Sequence, residues 1–403
     1  KLRKSKKIED IYCIPGNAGT EKIAKNLNID AQKFSVLYKY LKKYNIKIVI
    51  VGPEQPLVNG ITDYLRKKKI KVFGPSMYAA KLEGSKSFVK EICRKNNIPT
   101  ANFKVCKSKR EIYSFLKNNK YPVVIKADGL ASGKGVFICE NKIQAIAASN
   151  KIFSGEFKSS SKVVIEEFLK GEEASFFLLV DKHSYKILGT AQDHKRVGEG
   201  DKGPNTGGMG AYSPAPIISK SMERKILKRI IDPTLRELKR RKKPFTGFLY
   251  AGLMINKNNP YLIEYNVRMG DPECQVILPR INSDFLQLIE HAIDNKVKRL
   301  KIKWHKDKCM TIVLCSKGYP KKIKRNKEIK NLNIILENEK IKIIHAGTYA
   351  RNEKIYSNGG RVLNIVAMGK SLSIIRKSIL KILKKINWKQ GFYRKDIGWR
   401  HLN

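Results

Sequence analysis

The sequence predicts a multidomain protein, doubly wound α/β at its N-terminal end and α+β beyond it. Three observations carry that expectation. Over residues 1–83, short apolar runs closed by glycine-proline turns alternate with helical stretches, the rhythm of a parallel sheet with helical crossovers. From about residue 84, strands follow one another with little but turns between them. The length, 403 residues with 42% hydrophobic content, suits two to four domains of roughly 150 residues each.

Taken in order, the lysine-rich residues 1–7 read as the tail of a basic helix. A short apolar strand at residues 11–14 runs into Pro15-Gly16-Asn17-Ala18-Gly19-Thr20. Residues 31–44 set Phe34, Leu37, Tyr38 and Leu41 at i, i+3, i+4 and i+7, the spacing of a helix with one apolar face. Residues 47–51 form an apolar run closed by Gly52-Pro53, the pattern of a buried parallel strand. A helix over 60–69, a strand over 70–73 and a Gly74-Pro75 turn follow.

Beyond residue 83, a helix over 85–97 stops before Pro99. Then come a strand at 123–126, a glycine-rich turn at 128–135, a strand at 136–139, a helix to residue 152 and a polar loop at 159–161. Strands are expected at 163–166, 173–180 and 186–192. A glycine-rich loop over 198–210 leads to a helix at 219–241, which Pro233 should kink or restart. Strands at 247–255 and 261–266 precede a last stretch with strands at 309–315, 342–349 and 361–368 and a helix at 371–386. Boundaries near 83 and 300 give domains of 1–83, 84–299 and 300–403, with no fixed-period repeat.

Composition narrows the function. There are 83 Lys plus Arg against 35 Asp plus Glu, a net charge of +48. Only 19 of the basic residues are Arg, and the lysines are spread along the whole chain beside much Ile and Asn. Readers of bases and phosphates lean on the arginine fork. The charge is therefore read as a solvated lysine surface on an enzyme of acidic ligands, with no nucleic acid as partner. No apolar run approaches the roughly 20 residues of a membrane helix, so no membrane partner is expected. The seven cysteines are scattered and form no C-x-x-C pair, which argues against a disulfide scaffold or structural zinc and for a reducing compartment.

Four segments carry chemistry. In residues 123–136 a strand brings Lys126 to its end, and the next turn holds Gly129, Gly133 and Gly135 with Lys134. Glycines let backbone N–H groups approach a polyphosphate, and lysines neutralise it. A Walker A loop is absent, and a flexible hairpin with solvated lysines is the alternative. In residues 261–273, Glu264, Asn266 and Arg268 share one face, provided the strand reaches as far as Arg268. A carboxylate and a carboxamide make a partial oxygen shell for Mg²⁺, completed by nucleotide phosphates, and an arginine beside them can hold a phosphoryl group in flight. The alternative there is a half-exposed strand with a salt-bridged glutamate. Residues 163–173 form a strand and turn that could present backbone to an adenine edge, a weak signal by itself. Residues 192–212 set Asp193, His194, Lys195 and Arg196 before a long glycine loop of the kind that closes over substrates, with His194 read as structural and not as a base.

In this order the segments resemble an ATP-grasp enzyme: Gly84-Ser85-Lys86, then Lys126 with its glycine turn, then residues 166–169, then Glu264-x-Asn266. Residues 15–20, Val51-Gly52-Pro53-Glu54 with Pro56-Leu57, and residues 82–86, 193–196, 203–216, 247–254, 268–273 and 395–400 are further similar to one family, phosphoribosylamine–glycine ligase (glycinamide ribonucleotide synthetase). The resemblance covers nearly the whole chain.

It implies an ATP-grasp core at 84–299, with residues from about 101 to 170 as a mobile lid, a doubly wound N-terminal domain and a small α+β C-terminal domain. It implies that ATP, glycine and 5-phosphoribosylamine give glycinamide ribonucleotide, ADP and phosphate through glycyl phosphate, in de novo purine synthesis. Lys86, Lys126, Gly133, Lys134, Gly135, Glu166, Phe168, Leu169 and Glu173 would bind ATP, and Glu264 and Asn266 would ligate Mg²⁺ or Mn²⁺. Arg268, Lys126 and Lys134 would act on the transferred group. Asp193, Lys195, Arg196, Gly208, Met209, Gly210 and Asp271 would meet glycine and that group, and Gly16, Asn17, Gly52 and Glu54 would face the amine substrate. A monomer in the cytoplasm is expected.

One departure stands out. Family members begin with a strand and a turn of the form Gly-x-Gly-Gly-Arg-Glu-His, whereas this sequence starts with Lys inside the following helix. The expectation is a clipped sequence that keeps its ATP site and binds phosphoribosylamine poorly. Two rivals remain: another acyl-phosphate ligase of the same fold, and a basic nucleic-acid-binding protein, which lacks a basic arm, interleaved aromatics or zinc-finger spacing.

Overall fold

The structure is a computed structural model and describes residues 1–131, 135–157 and 162–402. Gly133, Lys134 and the polar loop at 159–161 lie outside the described residues. The chain forms two compact units, Lys47–Ile187 with Ile217–Met269, and Lys1–Ile46 with Leu188–Pro216 and Gly270–Asn403.

The unit built on 47–187 and 217–269 contains strands of three sheets. Ile48–Ile50 pairs with Lys71–Phe73 in parallel, as its Gly-Pro-terminated apolar runs predict. Leu57, Ile61, Leu65 and Phe73 are buried around that pair. A second sheet is antiparallel, in the order Phe103–Cys106, Val163–Glu167, Val123–Ala127, Val136–Cys139. The helices Lys109–Leu116 and Lys142–Phe153 pack Ile112, Leu116, Ala145 and Ile152 against Val123, Ile125, Val163 and Ile165 in a core of its own. In the third, Glu172–Val180, Gly247–Asn256 and Asn259–Asn266 run antiparallel. Its last two strands are joined through Lys257 and Asn258, both at positive φ, the two-residue hairpin turn whose twist matches the strands.

In the other unit, Tyr12–Cys13 and Lys25–Asn26 pair in parallel. Antiparallel pairing sets Gly210–Ser213 beside Lys308–Ser316, then Arg361–Gly369, then Ile341–His345. The helix Leu372–Lys385 lays Leu372, Ile375, Ile379 and Leu383 on that sheet.

Several sequence expectations change. Residues 1–7 make only a single turn, Leu2–Lys4, after which Ser5 is extended and its hydroxyl donates to Asp284. The strand at 342–349 is two strands, Ile341–His345 and Thr348–Arg351, in different sheets. The helix at 219–241 is α-helical over Lys220–Ile226, π-helical over Leu227–Ile231 and α-helical again over Asp232–Arg240, restarting beside Pro233 as expected. The helix Lys109–Leu116 was not anticipated, although Ser108 caps it by accepting from the Glu111 N–H, a Ser-x-x-Glu signature.

Candidate functional site

The site grows from two facing strands. Lys126 opposes Val164 and Glu166 opposes Val124 in an antiparallel ladder, so the two side chains are diagonal neighbours on one face. Lys126 Nζ donates to Glu166 Oε2 at 2.9 Å, and Lys90 Nζ stands 3.2 Å from Glu166 Oε1. All three side chains are buried. Burial pushes the Lys90 ammonium down, and Glu166 pulls it back up. Two cations around one buried carboxylate leave a surplus of positive charge, which suits an anionic ligand.

The start of the glycine turn is tied to a second segment. Asp128 accepts from Ser85 Oγ at 3.2 Å, from the Ser87 N–H at 3.1 Å and from Ser87 Oγ at 2.5 Å. Ser85 also caps the helix Lys86–Lys95 by accepting from the Phe88 N–H. Lys86 Nζ donates to the Gly129 carbonyl at 3.0 Å. Burial pushes the Lys86 ammonium down; Glu264, Asp128 and Glu166 raise it, and Lys126 lowers it. Glu264, Asp128, Glu166 and Lys126 are therefore all near enough to Lys86 to act on its ammonium. A side chain at Gly135 would press on Ala131 Cβ at 2.7 Å and Ala127 Cβ at 3.0 Å, so the turn admits only glycine without a shift.

On the strand Asn259–Asn266 the pairing slips between Gly252↔Glu264 and Leu253↔Leu262, a bulge at Ile263. The bulge resets the pleat, so Leu262 is buried while Glu264 and Asn266 are half-buried. The two oxygen donors lie two residues apart on one face, and Glu264 acts on the Lys86 ammonium. Among the described residues no three His, Cys, Asp or Glu side chains cluster as a metal cage. One carboxylate and one carboxamide suit Mg²⁺ or Mn²⁺ whose remaining ligands come from phosphates and water, so these residues fit the ion.

Arg268 follows on the same strand end. Its Nε donates to Glu54 Oε2 at 3.1 Å, its Nη2 pairs with Glu83 Oε1 at 2.8 Å, and the same nitrogen lies 3.4 Å from Asn266 Oδ1. Burial pushes the Glu83 carboxyl up to about 7, while Arg268 and the Val267 N–H act against that shift. Glu173 is half-buried opposite Met254, Phe168 is exposed and Leu169 is half-buried. Gly52 has open space around it.

The remaining expected residues are in the other unit. Gly16 sits at φ +84, and a side chain there would run into Asn26. The Asn17 carboxamide donates to the His345 and Ala346 carbonyls and accepts from the Gly19 and Thr20 N–H groups, which commits its side chain to the turn. Lys195 contributes its carbonyl to Thr206, and Arg196 donates to the Gly203 carbonyl at 2.8 Å. Gly208, at φ +112, is packed against Pro272 and Asp193. Met209 is fully buried in the core, so at that position the turn has only backbone to offer a ligand. A side chain at Gly210 would meet the Thr311 carbonyl. Asp271 accepts from Arg361 Nη2 and Gln275 Nε2, each at 2.7 Å. His194 is buried, accepts from the Gly398 N–H through Nε2 at 3.1 Å, and is pushed down to about 4, first by burial and then by Arg394. It stays neutral, as a structural residue would.

Sequence reasoning passed over Glu83, Lys90 and Asp128, and in the other unit Arg361 and Arg394. Lys90 had a signal, standing four residues after Lys86 on an amphipathic helix. Asp128 had one too, between Lys126 and the first glycine of the turn. Nothing local marks Glu83 or Arg361, whose partners lie far away in sequence.

Known proteins match along nearly the whole chain. Family models of phosphoribosylglycinamide synthetase match in three pieces: the N domain at residues 1–83, the ATP-grasp (A) domain at 84–274 and the C domain at 309–400. The chain is 43% identical over 401 residues to phosphoribosylamine–glycine ligase of Brucella melitensis, covering 99% of this chain and 94% of that one. It is similar to the crystal structure of phosphoribosylamine–glycine ligase from Thermotoga maritima, with a TM-score of 0.85 and 32% identity over 98% of this chain and 95% of that one. The biotin carboxylase domain of Hydrogenobacter thermophilus 2-oxoglutarate carboxylase, crystallised with MgADP, shares the fold at a TM-score of 0.71 and 15% identity, covering 92% of this chain and 81% of that one.

Proposed function

Because the chain belongs to the phosphoribosylamine–glycine ligase family, it is an ATP-grasp ligase of purine biosynthesis, and we propose that Lys86, Lys126, Glu264, Asn266 and Arg268 form its phosphoryl-transfer centre. The reaction joins glycine to 5-phosphoribosylamine at the expense of ATP. A carboxylate is a poor electrophile. One glycine carboxylate oxygen therefore attacks the γ-phosphorus and ADP leaves. The amine nitrogen then attacks the acyl carbon, loses a proton, and phosphate departs with that carboxylate oxygen.

Each residue has a physical task in this reading. Lys86 and Lys126 neutralise phosphate charge from two segments that Asp128 holds in register. Glu264 and Asn266 would hold Mg²⁺ or Mn²⁺, which when bound neutralises phosphate oxygens. Arg268 presents its guanidinium to the group in transfer. No protein nucleophile is required, and catalysis rests on positioning and charge. Gly133, Lys134 and Gly135 are assigned to the phosphate cover, and Glu166, Phe168, Leu169 and Glu173 to the adenosine end, on the family resemblance. Asp193, Lys195, Arg196, Gly208, Met209, Gly210 and Asp271 are assigned to glycine and the acyl group on the same ground, and Gly16, Asn17, Gly52 and Glu54 to the amine. The segments 1–83, 84–299 and 300–403 are read as domains. The lid at about 101–170 is supported by the separate core under its four strands.

The observation that carries the reading is the tie between the two lysine-bearing segments: Lys86 Nζ donates to the Gly129 carbonyl, and Asp128, two residues after Lys126, accepts from Ser85 and Ser87. An ADP-release assay tests it. Turnover should require both glycine and the amine, and Glu264→Ala should abolish Mg²⁺-dependent turnover while the protein still melts cooperatively. Near-normal rates in Glu264→Ala refute the metal assignment. ADP release without glycine favours a different acyl-phosphate ligase.

A further inference from the structure

Arg268 lies just past the strand Asn259–Asn266, held by two carboxylates of different character. The Glu54 side chain is 29% exposed, so water weakens its hold on Nε. The Glu83 side chain is 6% exposed and pairs with Nη2 at 2.8 Å. Its other oxygen accepts from the Val267 N–H at 2.8 Å, the first N–H beyond the strand. One carboxylate thus fixes the backbone and the guanidinium of consecutive residues. Glu83 stands in the short helix Lys81–Gly84, three residues before Lys86. The segment that supplies a phosphate lysine also supplies the group that orients Arg268. Burying a carboxylate is costly unless it is paired and hydrogen-bonded. An apolar side chain would fill this place at lower cost if packing were its only purpose.

We infer that Glu83 is a positioning residue of the ligation: it aims the Arg268 guanidinium at the transferring phosphoryl group and keeps it in register with Lys86, without touching substrate. The inference rests on the role proposed above for Arg268.

Assayed well above the value of about 7 to which burial lifts this carboxyl, Glu83→Gln keeps the volume and an acceptor but removes the charge. Its kcat should fall on the order of 10²-fold, the scale of a displaced catalytic group. The ATP dissociation constant from calorimetric titration should stay within about twofold, because the lost interaction acts after binding. The thermal midpoint should stay near that of the parent chain, and Glu83→Asp, which retains the charge, should recover part of the lost kcat. A parental kcat in Glu83→Gln overturns the inference. So does a loss of kcat matched by equal losses of ATP affinity and thermal midpoint, which marks a merely structural residue. Arg268→Ala separates the two claims. If it is inactive while Glu83→Gln is normal, only the positioning role falls; if it turns over normally, the role of Arg268 falls and this one with it.

Discussion

Glu237 shows how this lysine-rich chain uses its few carboxylates. Its side chain is buried, and Arg240, Arg241 and Lys95 surround it, with Arg241 Nε at 2.7 Å. Hydrogen bonds from Arg240 and then Arg241 hold its carboxyl down to about 2 from an ordinary 4.5. A depressed carboxylate stabilises the fold above its unfolded pKa, and that contribution disappears as pH falls through the folded value. Urea unfolding midpoints should therefore decline from about pH 4.5 towards pH 2, and Glu237→Gln should flatten that decline; an unchanged acid limb contradicts the pairing. At this scale the sequence is legible where chemistry is local. Lys126 beside its glycine turn, and Glu264-x-Asn266 on one strand, can be read directly, whereas the strand ends at Asn266 and Arg268 stands past it. Lys90 is hidden because a lysine on a helix is ordinarily solvated, and only the fold brings Glu166 to it. Glu83 is hidden because its partner stands far along the chain. Asn17 adds what its motif does not carry: its carboxamide is also bonded to backbone groups of the turn.

Elements are legible where pattern and punctuation agree. Val136–Cys139 is a strand with the expected ends, and the two runs closed by Gly-Pro form a parallel pair. The bulge at Ile263 escapes sequence reading, since an extra residue in a ladder leaves no trace in an apolar run. It matters because it decides which side chains share the face of Glu264. The glycine turn gives a sharper test. At Gly135 an added methyl would press on Ala131 and Ala127, so Gly135→Ala should weaken ATP binding on the order of tenfold by shifting the turn. ATP binding equal to that of the parent chain would show that the turn does not approach the phosphates. The four-stranded sheet has its own core, so Ile125→Ala, at a fully buried position, should cost about 2–5 kcal/mol. Hydrogen exchange should show that loss concentrated in residues 103–167, and a uniform loss over the chain would contradict an independent core.

Over the whole molecule, the charge of +48 is the feature most easily misread. A protein that attracts nucleic acid only through a diffuse lysine surface should lose on the order of 10³-fold in affinity for random duplex DNA between about 50 and 200 mM salt. Binding that survives such salt would point to a built nucleic-acid site. The family was legible because many motifs occur in a fixed order along nearly the entire sequence, a pattern that charge drift does not erase. The compact units were not: one is made of three stretches of chain and the other of two, and no linker composition marks where they change. The most direct test of the ligase chemistry follows the glycine carboxylate oxygens. With glycine carrying heavy oxygen in its carboxylate, each turnover should transfer one labelled oxygen to inorganic phosphate, as read by mass spectrometry. Phosphate released without label would mean that no glycyl phosphate forms, and the chemistry assigned to Lys86, Lys126, Glu264 and Arg268 would be wrong.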